Sequence, residues 1–328
     1  MLKYSVQFQR ALHHTFILVS TELFMIFIWA YLQLPAANLQ VVIFAFLAAV
    51  RISDISSLVL RLKRLLGMTS GCTILQYIIS VTYNSYWLNI ILPALAIAVI
   101  LKKMTSGSVF TVLLIGVLTY SAPPGAYFAI ERSADILLAS LVAWCVSWAA
   151  AIKKIPPEAE KPEYPLPPRS AFITGMCIFC ATILYKLLSI PQGLWIVLTT
   201  IFINMVQIPG EDTAHLIRQR IFSVPAGIFL GGLYSAAAVM LDYRLVYLSP
   251  LILSVGFFIL YYKHDFFLFT LFFMFAFTVC ADWMNGTLRE FHFLQLLTAR
   301  TLATIIGTAV LLAVEKFSVN NLQQGSIS

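Results

Sequence analysis

The stretch Thr15-Phe-Ile-Leu-Val-Ser-Thr-Glu-Leu-Phe-Met-Ile-Phe-Ile-Trp-Ala-Tyr-Leu-Gln-Leu34 contains one charged side chain, Glu22. A helix needs roughly 20 mostly apolar residues to cross the ~30 Å hydrocarbon core of a bilayer, and this stretch is long enough. The rest of the chain is similar, because 60% of its 328 residues are hydrophobic, 11% are charged and the mean hydropathy is +0.90. Soluble domains carry about 25% charged residues. The composition therefore excludes a water-soluble domain and predicts an all-α polytopic membrane protein.

Polar breaks divide the apolar sequence into about twelve predicted transmembrane helices, arranged as two six-helix repeats. The first membrane repeat, 1–152, holds spans at 13–34, 38–50, 66–83, 86–101, 108–121 and 130–151. The second membrane repeat, 169–316, holds spans at 171–190, 194–208, 221–241, 245–262, 266–281 and 297–315. Between them, the Pro-rich segment 153–168 is expected to be a cytoplasmic linker, and 317–328 is expected to be a polar C-terminal tail.

The distribution of Lys and Arg predicts the orientation of these spans. If the N-terminus is cytoplasmic, 16 of the 21 basic residues lie on the inner side and 5 on the outer side. This bias follows the positive-inside rule, so both termini are expected in the cytoplasm. The net charge of +7 then reflects topology, and no nucleic-acid partner is expected.

The two halves align with each other at an offset near 157 residues. The matched features are Pro35 with Pro191, Arg64-x-x-Gly67-x-x-x-Gly71 with Arg220-x-x-Ser223-x-x-x-Gly227, and Pro93 with Pro250. Arg132 matches Arg300 at an offset of 168, because the outer loop after Asp282 is longer. Six spans per repeat give both repeats the same orientation, related by an axis along the membrane normal. The glycine pairs Gly67 and Gly71, and Gly227 and Gly231, are expected to let helix backbones approach closely.

These motifs resemble the fusaric acid resistance and aromatic acid exporter superfamily. The second half carries the closest likeness, in Trp195-Ile-Val-Leu-Thr-Thr200, Glu211-Asp-Thr213 and Arg218-Gln-Arg220. The resemblance implies a bacterial inner-membrane exporter of aromatic or other organic acids that works beside a periplasmic adaptor (membrane fusion) protein. Many members also carry a large cytoplasmic domain, where this sequence has only the Pro-rich linker.

Glu22 is the expected proton-coupling residue. It lies about nine residues into the first span, roughly 13 Å along the axis and close to the midplane of the bilayer. Ionisable groups at this depth are costly and often serve proton relays. The alternative is a protonated carboxyl that only bonds a neighbouring helix.

The remaining candidate residues are expected to bind an anionic substrate. Short spans at matching positions of the two repeats, such as 38–50 and 194–208, are typical of a transporter's site. Charged residues at their ends can collect an anion, and an arginine's planar fork suits a carboxylate. The predicted substrate-binding residues are Arg51, Asp54, Arg132, Asp135, Glu211, Asp212 and Arg300. The alternative interpretation is that these charged residues are solvated loop ends or anchors at the membrane interface. Lys186 is expected only to reach the outer surface with its long side chain.

No enzymatic activity is expected, because the sequence lacks a Walker A loop, a GxSxG elbow and an HExxH motif. No cofactor or metal site is expected either. The predicted function is therefore efflux of small organic anions in exchange for protons (proton antiport). The protein is allowed to act as a homo-oligomer. An anion channel and a non-transporting membrane subunit of a larger complex are the alternatives.

Overall fold

The structure is a computed structural model, and it describes residues 2–32, 39–53, 55, 57–121, 125–151, 168–188, 193–205, 213–242, 245, 248–263, 265–284 and 293–324. Twelve α-helices account for nearly all of these residues, and the described part of the chain contains no β-strand. The predicted all-α class is confirmed. The division into twelve membrane spans and two repeats stays a prediction.

The helices, numbered in chain order, have the following bounds. In the first half they are α1 Leu2–Leu32, α2 Leu39–Ser53, α3 Leu58–Thr82, α4 Leu88–Lys103, α5 Ser106–Leu118 and α6 Ala126–Ala151, with a 3-10 turn at Thr119–Ser121 after α5. In the second half they are α7 Pro168–Leu188, α8 Leu194–Met205, α9 Thr213–Leu241, α10 Ser249–Lys263, α11 Phe266–Met284 and α12 Phe293–Gln324.

Within the part of the chain that the structure describes, five helices are long and apolar enough to cross a membrane. Their apolar segments are Ala11–Ile28, Leu58–Thr82, Ser170–Leu188, Arg218–Leu241 and Leu297–Phe317. Five shorter apolar helical segments lie at Val42–Ser53, Ser108–Leu118, Leu194–Ile203, Leu251–Leu260 and Phe266–Val279. Helix α12 continues to Gln324, so most of the expected polar tail is helical, whereas the expected linker lies almost entirely outside the described residues.

Large apolar side chains cover much of the exposed surface. Tyr31, Val59, Met240 and Leu241 are each more than three-quarters exposed. A soluble monomer rarely exposes apolar patches larger than a few hundred Å², and lipid removes the cost of such exposure. The surface therefore fits a membrane location.

The chain forms two compact units. Unit 1 comprises Met1–Thr69, Glu131–Lys161 and Ile208–Leu297, and unit 2 comprises Ser70–Ile130, Pro162–Gln207 and Thr298–Ser328. Inside unit 1, α1 packs on α2 and α10, while α11 packs on α9 and α10. Inside unit 2, α7 packs on α4 and α8, while α5 packs on α8. Each unit thus takes helices from both halves of the sequence.

Candidate functional site

Glu22 lies on the buried face of α1 in unit 1. Its side chain is 1% exposed, whereas the adjacent Leu23 is 49% exposed and Phe27 is 65% exposed. The helix therefore turns its apolar side outward and its carboxyl group inward, as expected for a charged side chain that avoids lipid.

The partner of this carboxyl group is Ser254 on α10. The Ser254 hydroxyl donates a hydrogen bond to Oε2 of Glu22 over 2.8 Å, and Ser254 is itself buried. A buried polar group without a hydrogen bond costs free energy, so the serine stabilises the acid in its buried position. The pair also ties α1 to α10.

Aromatic rings pack one helical turn beyond Ser254. Phe257 on α10 contacts Phe46 on α2 with ring centroids 5.6 Å apart and Phe269 on α11 at 5.0 Å. The contacts continue along α11 from Phe269 to Phe273 at 5.9 Å. Edge-on and tilted aromatic pairs of this kind stabilise a core beyond simple burial. The acid–serine pair therefore borders a rigid aromatic cluster formed by three helices.

The matching positions of the other half are apolar. Offsets of 156 and 157 residues relate Glu22 to Ile178 on α7 and Ser254 to Ile97 on α4. Ile97 and Ile178 line the same small void inside unit 2, next to Pro93 and Gly175. The predicted repeat thus matches a polar pair of positions in unit 1 with an apolar pair in unit 2. Of the two matched positions, only the one in α1 carries an acid that can exchange a proton.

Arg132 and Asp135 are brought together on α6, in unit 1. Both side chains are buried, at 4% and 7% exposure. Asp135 and the half-buried Glu131 are both close enough to interact electrostatically with Arg132. A spacing of three residues places Arg132 and Asp135 on the same helix face. The arrangement holds a guanidinium group away from lipid among carboxylates.

Arg300 lies in unit 2, whereas the other candidate arginines, Arg51 and Arg132, lie in unit 1. It is 1% exposed, and its guanidinium carbon lies 5.3 Å from the ring centroid of Trp195, which opens α8. A cation within about 6 Å of a tryptophan face is stabilised by the ring quadrupole. This contact joins α12 to α8.

The other predicted substrate-binding residues contribute less to the described structure. Arg51 ends α2 and is half-buried, and its backbone carbonyl accepts a hydrogen bond from Arg64 over 3.5 Å. Asp54, Glu211 and Asp212 lie outside the described residues.

Three of the four predicted packing glycines make close helix contacts. A Cβ atom at Gly227 would lie 2.5 Å from the Leu271 carbonyl oxygen, and one at Gly231 would lie 2.7 Å from that of Phe275. Both carbonyls belong to α11, so these glycines let α9 and α11 approach closely. A Cβ atom at Gly71 would lie 3.1 Å from the side chain of Val112. Gly67 differs from the expectation because it is exposed.

Two cationic sites were not anticipated. Arg220 on α9 is fully buried, and its Nη2 lies 3.9 Å from the sulfur of Met274 on α11. Lys186, expected to reach the outer surface, is half-buried in the last turn of α7, and its ammonium group lies near tyrosine rings. In the sequence, Arg220 stood out as the repeat-matched partner of Arg64 and as part of the motif Arg218-Gln-Arg220. The lysine site had a weaker signal, namely tyrosines at the ends of the predicted spans 66–83 and 108–121.

No protein-family model, curated protein or solved structure matches this chain.

Proposed function

We propose that this chain is a multi-pass membrane transporter that exports small organic acids, most suitably aromatic ones, in exchange for protons. The observation that carries the proposal is the Glu22 carboxyl group, buried within an apolar helix and hydrogen-bonded by Ser254. A passive anion pore has no need of a buried carboxyl group at this depth.

Glu22 supplies the coupling step. When protonated, the carboxyl group is neutral and adds little cost to the buried site; when ionised, it carries a charge that the Ser254 hydroxyl stabilises by donating its hydrogen bond. Moving one charge across the membrane corresponds to about 2.3 kcal/mol per 100 mV. Proton exchange at one carboxyl group therefore links the membrane gradient to the state of unit 1.

Buried arginines supply the affinity for anions. Arg132 in unit 1 and Arg300 in unit 2 present planar forks that suit both oxygens of a carboxylate. The aromatic surface of Trp195 beside Arg300 favours an anion that has a ring. Arg51 remains a candidate for the substrate path. The same holds for three residues outside the described part of the chain, Asp54, Glu211 and Asp212.

The cellular setting follows from the charge distribution and the family resemblance. We place the chain in a bacterial inner membrane with both termini in the cytoplasm, because 16 of 21 basic residues lie on the predicted inner side. Membership of the fusaric acid resistance and aromatic acid exporter superfamily, and with it a periplasmic adaptor partner, belongs to the same proposal.

Two measurements test the proposal. First, cells with and without the protein are challenged with a panel of aromatic and aliphatic acids, and the protein should protect against a subset. Second, export of a protective acid is followed in proteoliposomes under an imposed pH gradient. Glu22→Gln keeps the size of the side chain and a hydrogen bond to Ser254, so the variant should fold, yet proton-driven export should be abolished.

The matched control is Glu315→Gln on α12, the same substitution at a half-buried position of unit 2. It should export at the wild-type rate. Normal proton-linked export by the Glu22→Gln protein would remove Glu22 from the mechanism.

An anion channel is the second candidate, favoured by the near-complete burial of Arg220 and Arg300. Planar-bilayer recordings distinguish the two functions. A channel would pass an anion current without a proton gradient, and that current would be unaffected by Glu22→Gln.

A further inference from the structure

Three tyrosine rings surround the ammonium group of Lys186 in unit 2. The Nζ atom lies 5.3 Å from the ring centroid of Tyr83, 5.2 Å from that of Tyr120 and 5.6 Å from that of Tyr185. A cation within about 6 Å of an aromatic face gains electrostatic stabilisation. We name this group of four residues the lysine–tyrosine cluster.

The cluster is formed by helix ends that meet at one end of unit 2. Tyr83 follows the last residue of α3, Tyr120 lies in the 3-10 turn after α5, and Tyr185 and Lys186 lie in the last turn of α7. Trp195, with Arg300 over its ring, opens α8 at the same end of the α7–α8 pair. Two cations and four aromatic rings are thus gathered at this end.

One tyrosine of the cluster is held rigidly. The Tyr120 hydroxyl donates a hydrogen bond to the backbone carbonyl of Asn89 over 2.9 Å, and its ring is buried against Tyr185 with centroids 5.9 Å apart. Lys186 and Tyr185 are half-buried and Tyr83 is 43% exposed. The cluster therefore combines a fixed inner wall with an accessible outer side.

Unit 2 offers little negative charge to Lys186 from its own sequence. Its acidic residues are Glu163 and Glu315. Glu163 lies outside the described residues. Glu315 lies 15 residues after Arg300 on α12, about 22 Å further along the helix. Aromatic rings stabilise the positive charge of an ammonium group less than a carboxylate would. This end of unit 2 is therefore suited to bind an anion.

An apolar groove lies along the first half of α7. A groove of about 430 Å³ lies between α4 and α7, with an apolar lining that includes Ala94, Gly175 and Phe179. The same three residues line a smaller void that extends to Tyr120 and Thr182, one helical turn before Lys186. The void beside Tyr120 has a volume of only about 10 Å³, so a ligand reaches the cluster from its accessible outer side, at Tyr83.

We infer that the lysine–tyrosine cluster binds a small carboxylate that carries an aromatic ring. The carboxylate pairs with the Lys186 ammonium group, and the ring packs against the tyrosines beside the apolar space. A neutral aromatic compound lacks the ion pair and an aliphatic acid lacks the ring contacts, so both bind more weakly. The inference goes beyond proton exchange at Glu22 and concerns binding, which is measurable without transport.

The test uses the full-length protein in detergent and 4-fluorobenzoate as the probe, followed by fluorine NMR line broadening. Saturable binding is expected, with displacement by benzoate and only weak displacement by cyclohexanecarboxylate. The neutral analogue 4-fluorobenzamide should not show saturable binding. Lys186→Met keeps the apolar stem and removes the charge, and it should weaken 4-fluorobenzoate binding by about tenfold or more. Lys186→Arg should retain most of the affinity.

Matched controls come from the same unit. Lys103→Met removes an exposed lysine at the end of α4, and Tyr86→Leu removes an exposed tyrosine, so both should bind as the wild type does. Tyr83→Leu should weaken binding, and because Tyr83 is exposed this variant should still fold. Lack of saturable 4-fluorobenzoate binding by the wild type, or wild-type affinity in Lys186→Met, would overturn the inference.

These outcomes separate this inference from the proposed function. If Glu22→Gln stops export but binding does not depend on Lys186, only the cluster's role is lost. If binding depends on Lys186 and Glu22→Gln exports normally, the proton step is wrong and the binding site stands.

Discussion

The hydroxyl oxygen of Ser254 lies 2.8 Å from Oε2 of Glu22, although 232 residues separate the two in the chain. The contact brings the first helix of the first half against the fourth helix of the second half. In unit 2, α7 packs on α4, and Ile97 of α4 and Ile178 of α7 line one small void.

Ser254→Ala should lower the free energy of unfolding by about 1 kcal/mol, because the buried Glu22 carboxyl group loses its hydrogen-bond donor. Proton-driven export should slow in parallel. Thermal unfolding in detergent and liposome export measure the two effects. Ser254→Thr retains a hydroxyl group and should behave more like the wild type. Wild-type stability and export in Ser254→Ala would show that the hydrogen bond contributes to neither.

Gly227→Ala should destabilise unit 1, since the new methyl group would lie 2.5 Å from the Leu271 carbonyl oxygen. The helices α9 and α11 must separate to admit it, at a cost of about 1–3 kcal/mol. Gly67→Ala is the matched control, because Gly67 is exposed. Fluorescence-detected size exclusion after a heating series would rank the two variants. Equal thermostability would contradict the close-packing role of Gly227.

The contact between Arg300 and Trp195 should appear as a favourable coupling energy. A double-mutant cycle with Arg300→Met and Trp195→Leu should yield about 0.5–2 kcal/mol, the range for a desolvated cation and an aromatic ring. Denaturant unfolding in detergent supplies the four free energies. A second cycle that pairs Arg300→Met with Trp87→Leu, at an exposed tryptophan of unit 2, should be nearly additive. Equal coupling in both cycles would refute a specific contact.

Asn89→Leu should weaken the packing of α4 against α3. The Asn89 Nδ2 donates hydrogen bonds to the Ile79 carbonyl at 2.8 Å and to the Thr82 hydroxyl at 2.9 Å. Losing both at a buried position should cost about 1–3 kcal/mol, measured as a lower thermal midpoint. Asn84→Leu, at an exposed position in the same connection, serves as the comparison. The same thermal midpoint for both variants would show that the buried amide is dispensable.

Local features of the sequence were sufficient to predict the helices. Apolar runs separated by Pro, Gly and charged residues led to predicted spans that fall on all twelve helices, for example 266–281 on Phe266–Met284 and 130–151 on Ala126–Ala151. Backbone hydrogen bonds within a helix join residues close in sequence. The apolar run, and the Pro, Gly and charged residues that interrupt it, therefore decide where the helix starts and ends. Predicted ends nevertheless differ from the observed ends, as at α1, which begins at Leu2 rather than near 13, because helices extend beyond their apolar segments.

The sequence by itself determined that this chain is apolar and helical, and that Glu22 stands alone among apolar neighbours, because composition and spacing record both directly. Only the tertiary structure decided that Ser254 meets Glu22, that Arg300 lies on Trp195, and that three tyrosines surround Lys186. These contacts join helices that are distant in the chain and are chosen by side-chain packing across whole faces. No local pattern encodes such a choice.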